Sequence, residues 1–116
     1  MEKIEIVKSY WIAEASKDLK SILDHFHSES IFTSPGMQLN GRENIKQFYE
    51  GMVNNFAAIK VVPTHWIESG NEIAVQYDCE LVRLSGEKRF AKGFNLFKIT
   101  DGHILSLNCY FNPADF

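Results

Sequence analysis

Residues 30–56 read SIFTSPGMQLNGRENIKQFYEGMVNNF, and this stretch decides the fold. It predicts a short strand at residues 30–33, a turn at Ser34-Pro35-Gly36 and a helix that begins after Asn40. Proline disfavours a helical residue before it and glycine permits a tight turn, so the strand ends at this point. Asn40 with Glu43 three residues later is arranged like a capping box, which predicts the N-terminus of the helix.

Two amphipathic helices are predicted before this stretch. The first spans residues 4–15, and its apolar side chains share one helical face: Ile4, Val7, Tyr10 and Trp11. The second is predicted to begin at an N-cap residue, Ser16, and its apolar face is formed by Leu19, Ile22, Leu23 and Phe26.

From residue 60 onward the pattern changes to that of strands separated by glycine-containing turns. The predicted strands span residues 61–67, 73–84, 89–99 and 104–111. Three helices followed by consecutive antiparallel strands predict one α+β domain over residues 1–116, with the helices on one face of a curved sheet. Three helices cannot cover such a sheet completely, so a cavity is expected between the two layers.

Composition excludes several classes of protein. A net charge of -3 leaves no basic stripe for nucleic acid. The N-terminal residues lack the apolar run of a signal peptide, and no stretch is long enough to span a membrane. Two cysteines cannot form a secreted disulfide framework, so a cytoplasmic protein with reduced thiols is expected. His25 and His27 point in different directions, and neither a metal site nor a cofactor is predicted.

The order of these elements, and the residues that separate them, resemble the SnoaL-like branch of the NTF2-like superfamily. The resemblance rests on Asp18-Leu19, on residues 32–36 (FTSPG), on Asn40-Gly41 followed by Ile45 and Phe48-Tyr49, and on residues 97–104 (FKITDGHI). It implies a cone in which three N-terminal helices pack on a curved, mostly antiparallel sheet and enclose a pocket. Relatives include ketosteroid isomerases, polyketide cyclases, epoxide hydrolases and proteins that only bind ligands or partners, so the resemblance leaves the activity open.

The resemblance also assigns positions to the catalytic groups of these relatives. Tyr10 falls on the tyrosine that donates a hydrogen bond to the enolate oxygen in ketosteroid isomerases, and Asn95 falls on the second donor. Ser34 occupies the position of the isomerase base, and Cys109 that of the cyclase aspartate. A hydroxyl without a base beside it cannot abstract a carbon-bound proton at neutral pH, so neither standard reaction is expected.

Asp78 and Glu80 are the candidates for a different acid and base. Pairing the strands across a turn at residues 85–88 places Asp78 opposite Asn95 and Glu80 opposite Gly93, on the face that the resemblance assigns to the cavity. Two carboxylates this close in a partly apolar cavity would raise at least one pKa. The alternative is that this face is solvated and that the core face is formed by Ile73, Val75, Tyr77, Cys79 and Leu81.

Three functions remain open. The first is binding of a small apolar ligand that carries a carbonyl or hydroxyl group. The second is an isomerase, cyclase or hydrolase that uses Asp78 or Glu80, and the third is a non-catalytic dimeric interaction domain. The predicted ligand-binding residues are Tyr10, Phe26, Ser34, Phe48, Asn95, Leu107, Cys109 and Phe111. A homodimer is predicted through the outer face of the sheet, where aromatic and apolar residues alternate with lysines: Phe90, Lys92, Phe94, Leu96 and Lys98.

Overall fold

The computed structural model describes residues 1–115 and has the predicted α+β architecture. Helices α1 (Lys3–Ala15), α2 (Leu19–Asp24) and α3 (Arg42–Asn55) pack on a six-stranded sheet. The strands are β1 (Phe26–Ser34), β2 (Met37–Asn40), β3 (Phe56–Ser69), β4 (Glu72–Arg83), β5 (Lys88–Thr100) and β6 (His103–Phe111). Their order in the sheet is β2-β1-β6-β5-β4-β3, and the β1–β6 pair is parallel while the others are antiparallel. Within residues 1–115, none of the helices has the length and apolar character needed to cross a membrane.

Helix α2 begins later and ends earlier than predicted. Its N-cap is Asp18, whose carboxylate accepts a hydrogen bond from the Ser21 amide at 3.2 Å. Ser16 is not the cap, because its hydroxyl donates back to the Ile12 carbonyl at the end of α1, at 2.9 Å. Phe26 is the first residue of β1 rather than part of the helix.

The predicted cap of α3 is also wrong. Asn40 is the last residue of β2, where it pairs with Ile31 of β1, so it belongs to the strand and not to the helix terminus. Gly41 occupies the N-cap and makes no side-chain capping hydrogen bond. The helix itself lies where the apolar spacing predicts it.

The turn between β4 and β5 determines which side chains face the helices. The Arg83 amide donates to the Glu87 carbonyl at 2.9 Å, so the loop consists of residues 84–86. Gly86 adopts φ +90°, the left-handed backbone that closes a three-residue hairpin loop. The sequence prediction placed the loop at residues 85–88, and its register is therefore wrong.

The observed register pairs Asp78 with Lys92 and Glu80 with Phe90. It differs from the predicted register by an odd number of residues, and such a shift moves every side chain of a strand to the opposite face. The inner face of β4 consequently carries Ile73, Val75, Tyr77, Cys79 and Leu81, all of which are buried. The alternative assignment of the core face is the one that the structure confirms.

Gly93 lies on β5 directly beneath a tyrosine side chain. A Cβ atom at this position would lie 2.7 Å from the Tyr77 hydroxyl oxygen and 2.6 Å from the Tyr110 carbonyl oxygen. Both distances are shorter than ordinary van der Waals contact, and one of the two atoms belongs to the backbone. Any side chain here would displace Tyr77 or separate β5 from β6.

We expect Gly93→Ala to lower the free energy of unfolding by about 1–3 kcal/mol, because overpacking forces neighbours to move. Gly51→Ala in α3 is the matched control, since its new Cβ would lie 3.8 Å from the nearest atom, Asn55 Nδ2. Alanine favours a helix over glycine by about 1 kcal/mol, so the control is expected to be at least as stable as the wild type. Urea denaturation measures both changes. A Gly93→Ala protein as stable as Gly51→Ala would contradict this account of the strand.

Candidate functional site

A cavity of about 330 Å³ lies between the helices and the inner face of the sheet. Its wall is formed by Tyr10, Trp11, Glu14, Phe32, Ser34, Pro35, Met37, Phe48, Tyr49, Met52, Phe56, Ile59, Val61, Tyr77, Cys79, Leu81, Asn95, Cys109 and Phe111. Glu14 is the single carboxylic acid among these described residues, and they include no lysine, arginine or histidine. The cavity is therefore an apolar container with one acidic group.

Six of the predicted ligand-binding residues lie on this wall: Tyr10, Ser34, Phe48, Asn95, Cys109 and Phe111. Phe26 and Leu107 do not, because both are completely buried in the core beside the cavity. The Phe26 ring packs edge-on against Tyr10 with 5.5 Å between ring centroids. Leu107 pairs with Phe97 across the β5–β6 ladder.

Asp78 and Glu80 lie on the outer face of the sheet, so their predicted position in the cavity is wrong. The Asp78 carboxylate is 2.7 Å from the Lys92 ammonium nitrogen, and the two side chains are 55% and 84% exposed. Glu80 lies 3.8 Å from the Lys88 ammonium nitrogen. The sheet separates both carboxylates from the cavity, so they cannot act on a molecule inside it.

The acidic group of the cavity is Glu14, which was not among the residues predicted from the sequence. It lies on α1 one helical turn after Tyr10 and is 5% exposed. Its Oε2 atom accepts hydrogen bonds from the Tyr10 hydroxyl at 3.2 Å and the Tyr49 hydroxyl at 3.4 Å. The two hydroxyl groups also hydrogen-bond each other. We call Tyr10, Glu14 and Tyr49 the Glu14 cluster.

A signal for Glu14 exists in the sequence. Ile4, Val7 and Trp11 are spaced along one face of α1, and Glu14 is the next position on that face. A carboxylate at a core position of an amphipathic helix indicates either a buried partner or a functional site. Its partner Tyr49 lies on another helix, and the sequence alone does not show that the two meet.

Aromatic packing holds the cluster in place. The Tyr10 ring makes edge-to-face contacts with Phe97 and Tyr49 at centroid distances of 6.0 and 6.3 Å. Tyr49 contacts Phe48 at 5.1 Å and Phe32 at 6.1 Å, also edge-to-face. Each such contact contributes about 0.5–1.5 kcal/mol beyond the area it buries, so the two hydroxyl groups have little freedom to turn away.

Burial raises the pKa of Glu14 to about 7, although the hydrogen bonds from Tyr10 and Tyr49 act in the opposite direction. Burial and the neighbouring ionisable groups raise the pKa values of Tyr10 and Tyr49 well above the ordinary tyrosine value, so both remain protonated. Burial, followed by the charge of Glu14, raises the pKa of Cys79 and of Cys109 to about 12. Glu14 can therefore take up and release a proton near neutral pH while these neighbours stay neutral.

Asn95 supplies the second polar feature of the wall. It is 6% exposed, and no described residue donates a hydrogen bond to its Oδ1 atom. A buried acceptor left unpaired costs about 1–3 kcal/mol, which a ligand with a donor group can recover. The resemblance assigns Asn95 the role of a donor, whereas the structure leaves its acceptor atom free.

Histidine, cysteine and acidic side chains do not assemble into a metal site anywhere in residues 1–115. The two thiols of the cavity wall, Cys79 and Cys109, are free cysteines. The polar side chains of the wall can supply hydrogen bonding and proton transfer.

The raised pKa of Glu14 predicts a stability that falls with pH. Between the ordinary carboxyl pKa of about 4.5 and the folded value of about 7, the folded protein binds more protons than the unfolded chain. The free energy of unfolding should therefore decrease across this range by about 3 kcal/mol and level off above it. Glu14→Gln removes the titrating group but keeps the size of the side chain. Urea denaturation from pH 4.5 to 8.5 should show this decrease in the wild type and not in the variant, and identical profiles would contradict the assignment.

Comparison with known proteins supports the fold. The family model described as a SnoaL-like domain matches residues 7–107. No curated protein matches the chain in sequence. A protein with a ketosteroid isomerase-like fold from Catenulispora acidiphila DSM 44928, solved in complex with trimethylamine, is 15% identical with a TM-score of 0.87, over 96% of this chain and 88% of its own.

Two further solved structures are similar at low identity. An LEH-like epoxide hydrolase from M. tuberculosis is 15% identical with a TM-score of 0.84, over 97% of this chain and 84% of its own. An NTF2-like protein of unknown function from Burkholderia pseudomallei K96243 is 18% identical with a TM-score of 0.84, over 96% and 91% of the two chains. These likenesses show the fold and leave the activity open. The family match covers most of the sequence, and the protein belongs to the SnoaL-like domain family, with the NTF2-like fold.

Proposed function

We propose that this protein binds a small, largely apolar molecule in the cavity, with the polar group of that molecule at the Glu14 cluster. The observation that carries the proposal is the contrast within the cavity wall, which is apolar almost everywhere and strongly polar at one buried carboxyl group. A volume of about 330 Å³ is within the range of small-molecule sites. Apolar contact supplies the affinity, at about 25 cal/mol per Å² buried, and the polar cluster orients the molecule.

The hydrogen atoms of the cluster favour a ligand that donates a hydrogen bond. When Glu14 is ionised, the Tyr10 and Tyr49 hydroxyl groups hold two hydrogen atoms for the three contacts among these residues. Neither of these two hydrogen atoms is left to bond a ligand carbonyl. A ligand hydroxyl can instead donate to Glu14 or to the unpaired Oδ1 of Asn95. Of the two groups expected from the sequence, the hydroxyl therefore suits the ionised site better than the carbonyl.

Protonation of Glu14 changes this preference. The carboxyl group then carries a third hydrogen atom, and on Oε1, which takes part in none of the three contacts, this atom can point to a ligand oxygen. Because the pKa of Glu14 is about 7, both forms are populated at neutral pH. A ligand carboxylate is disfavoured because the described wall offers no positive charge, and the ionised form of Glu14 also repels it.

Binding in the cavity can be tested with cyclohexanol as the probe. Trp11 lines the cavity, so binding should change its fluorescence in a Trp66→Phe background, where it is the remaining tryptophan. Cys109→Phe places a ring in the cavity and should weaken binding by about tenfold or more. Cys109→Ser is the matched control, since it leaves the space open and should keep the affinity of the parent. Equal affinity for Cys109→Phe would place cyclohexanol outside the cavity and contradict the proposal.

We also propose that two copies of the chain associate through the outer face of the sheet. The Phe94 and Tyr110 rings stack there at 4.7 Å, although the side chains are 45% and 48% exposed, and Phe90 is 70% exposed. The same face carries the Asp78–Lys92 ion pair. A surface with apolar rings and both signs of charge is complementary to itself, as a two-fold symmetric contact requires. A second copy therefore fits this surface better than a partner of one charge.

Sedimentation velocity tests the association. The wild type is expected to sediment as a dimer, and Phe90→Lys combined with Phe94→Lys should give a monomer, because it places charges in the apolar centre of the contact. Ile12→Lys is the control, since Ile12 is 66% exposed on α1, away from the sheet. A wild-type protein that is monomeric at every concentration, or a dimer unaffected by the paired substitution, would contradict this interface.

A further inference from the structure

We propose that the ligand of the cavity is an apolar amine, which binds as its ammonium ion with the positive charge at Glu14. This inference rests on the proposed function, because it names the chemical class of the molecule that occupies the same cavity. Three observations carry it: the missing countercharge of Glu14, the aromatic residues of the cavity wall, and two acceptor atoms that no described residue hydrogen-bonds.

The first observation is that Glu14 has no positively charged partner. The described wall contains no lysine, arginine or histidine, and Glu14 takes part in none of the ion pairs found in residues 1–115. The two tyrosine hydroxyl groups stabilise its charge by hydrogen bonding but do not neutralise it. A buried ion without a partner is costly, and breaking a buried ion pair by removing one member costs several kcal/mol. An ammonium ion would supply the absent member.

The second observation is the number of aromatic rings in the cavity wall. Besides Tyr10 and Tyr49, the wall contains Trp11, Phe32, Phe48, Phe56, Tyr77 and Phe111. The faces of aromatic rings attract cations, by about 0.5–1 kcal/mol at exposed sites and about 2 kcal/mol or more where water is excluded. Such a wall accepts the alkyl groups of an amine and stabilises its charge at the same time. A neutral alcohol gains only the first of these contributions.

The third observation is that two acceptor atoms of the cavity wall have no donor among the described residues. Asn95 Oδ1 is buried without a donor, and no described residue hydrogen-bonds Oε1 of Glu14. An ammonium group with N–H bonds has donors and no acceptor, so it can hydrogen-bond these two atoms. A carbonyl group is itself an acceptor, so it can hydrogen-bond neither of these atoms.

Glu14 also sets the charge of the cavity near neutral pH. The titratable groups that face it are Tyr10 on its own helix, Tyr49 on α3, Tyr77 and Cys79 on β4, and Cys109 on β6. Burial raises the pKa of each of these five groups, so all remain neutral at pH 7. The affinity for a permanent cation should therefore increase as pH rises through the titration of Glu14. Binding below that range should release a proton.

Phenyltrimethylammonium and tert-butylbenzene are a matched pair of probes for this inference. They have the same shape, and they differ in the replacement of a cationic nitrogen by carbon. Isothermal titration calorimetry at pH 8 should give at least about tenfold tighter binding of the cation, and the affinity for the cation should fall by about tenfold or more at pH 5.5. The affinity for tert-butylbenzene should not fall with pH in this way. Glu14→Gln, with its fold checked by circular dichroism, should lose the preference for the cation.

The outcomes separate this inference from the proposed function. Equal affinity for the two probes at pH 8, or a preference for the cation that survives in Glu14→Gln, would overturn the ammonium inference and leave a pocket for neutral apolar molecules. The same conclusion follows if cyclohexanol binds and neither probe does. If cyclohexanol and both probes all fail to bind, the proposed function fails as well. Should Glu14→Gln not fold, the pH dependence of the wild type with the permanent cation decides the question.

Discussion

The hydrogen bonds from Tyr10 and Tyr49 to the Glu14 carboxylate are the interaction on which the site depends. They join α1 to α3 across the helical layer, at the only carboxyl group of the described cavity wall. A carboxyl group buried in this way would stay fully protonated over a wide pH range if it had no donors. The two phenols lower its pKa enough to bring the titration back to about 7. The cluster therefore balances the cost of burial against hydrogen bonding, and this balance makes the group responsive at neutral pH.

The contents of the cavity wall depend on a single hairpin loop. The three-residue loop closed by Gly86 fixes the register of β4 against β5, and the period of a strand then assigns each side chain to a face. Tyr77 and Cys79 consequently face the helices, while Asp78 faces solvent and pairs with Lys92. A loop longer by one residue would have exchanged these sets and placed acidic groups in the core.

The order of elements could be predicted from the sequence, because helical and strand periodicities extend over whole segments and small errors at their ends do not change the topology. Asn95, Cys109 and Phe111 were correctly placed on the wall through the family resemblance, which aligns long segments. Features that depend on single residues could not be predicted as well. The face on which Asp78 lies depends on one residue of the β4–β5 loop. Asn40 could be either a strand residue or a helix cap, and its pairing with β1 decides between the two. Glu14 continues the apolar face of α1, but its hydrogen bond with Tyr49 forms only when tertiary packing brings α3 to it.

The resemblance places Ser34 and Cys109 at the base positions of ketosteroid isomerases and polyketide cyclases, whereas the acidic group of this cavity lies on α1, one helical turn after Tyr10. The resemblance implies that the hydroxyl group of Tyr10 donates to a ligand oxygen, whereas in the structure its hydrogen atom is used within the Glu14 cluster. The acidic group on the cavity wall is a buried carboxyl group that accepts hydrogen bonds from two tyrosine hydroxyl groups. The fold alone therefore does not set the polarity of this cavity, which depends on the placement of a single side chain, Glu14.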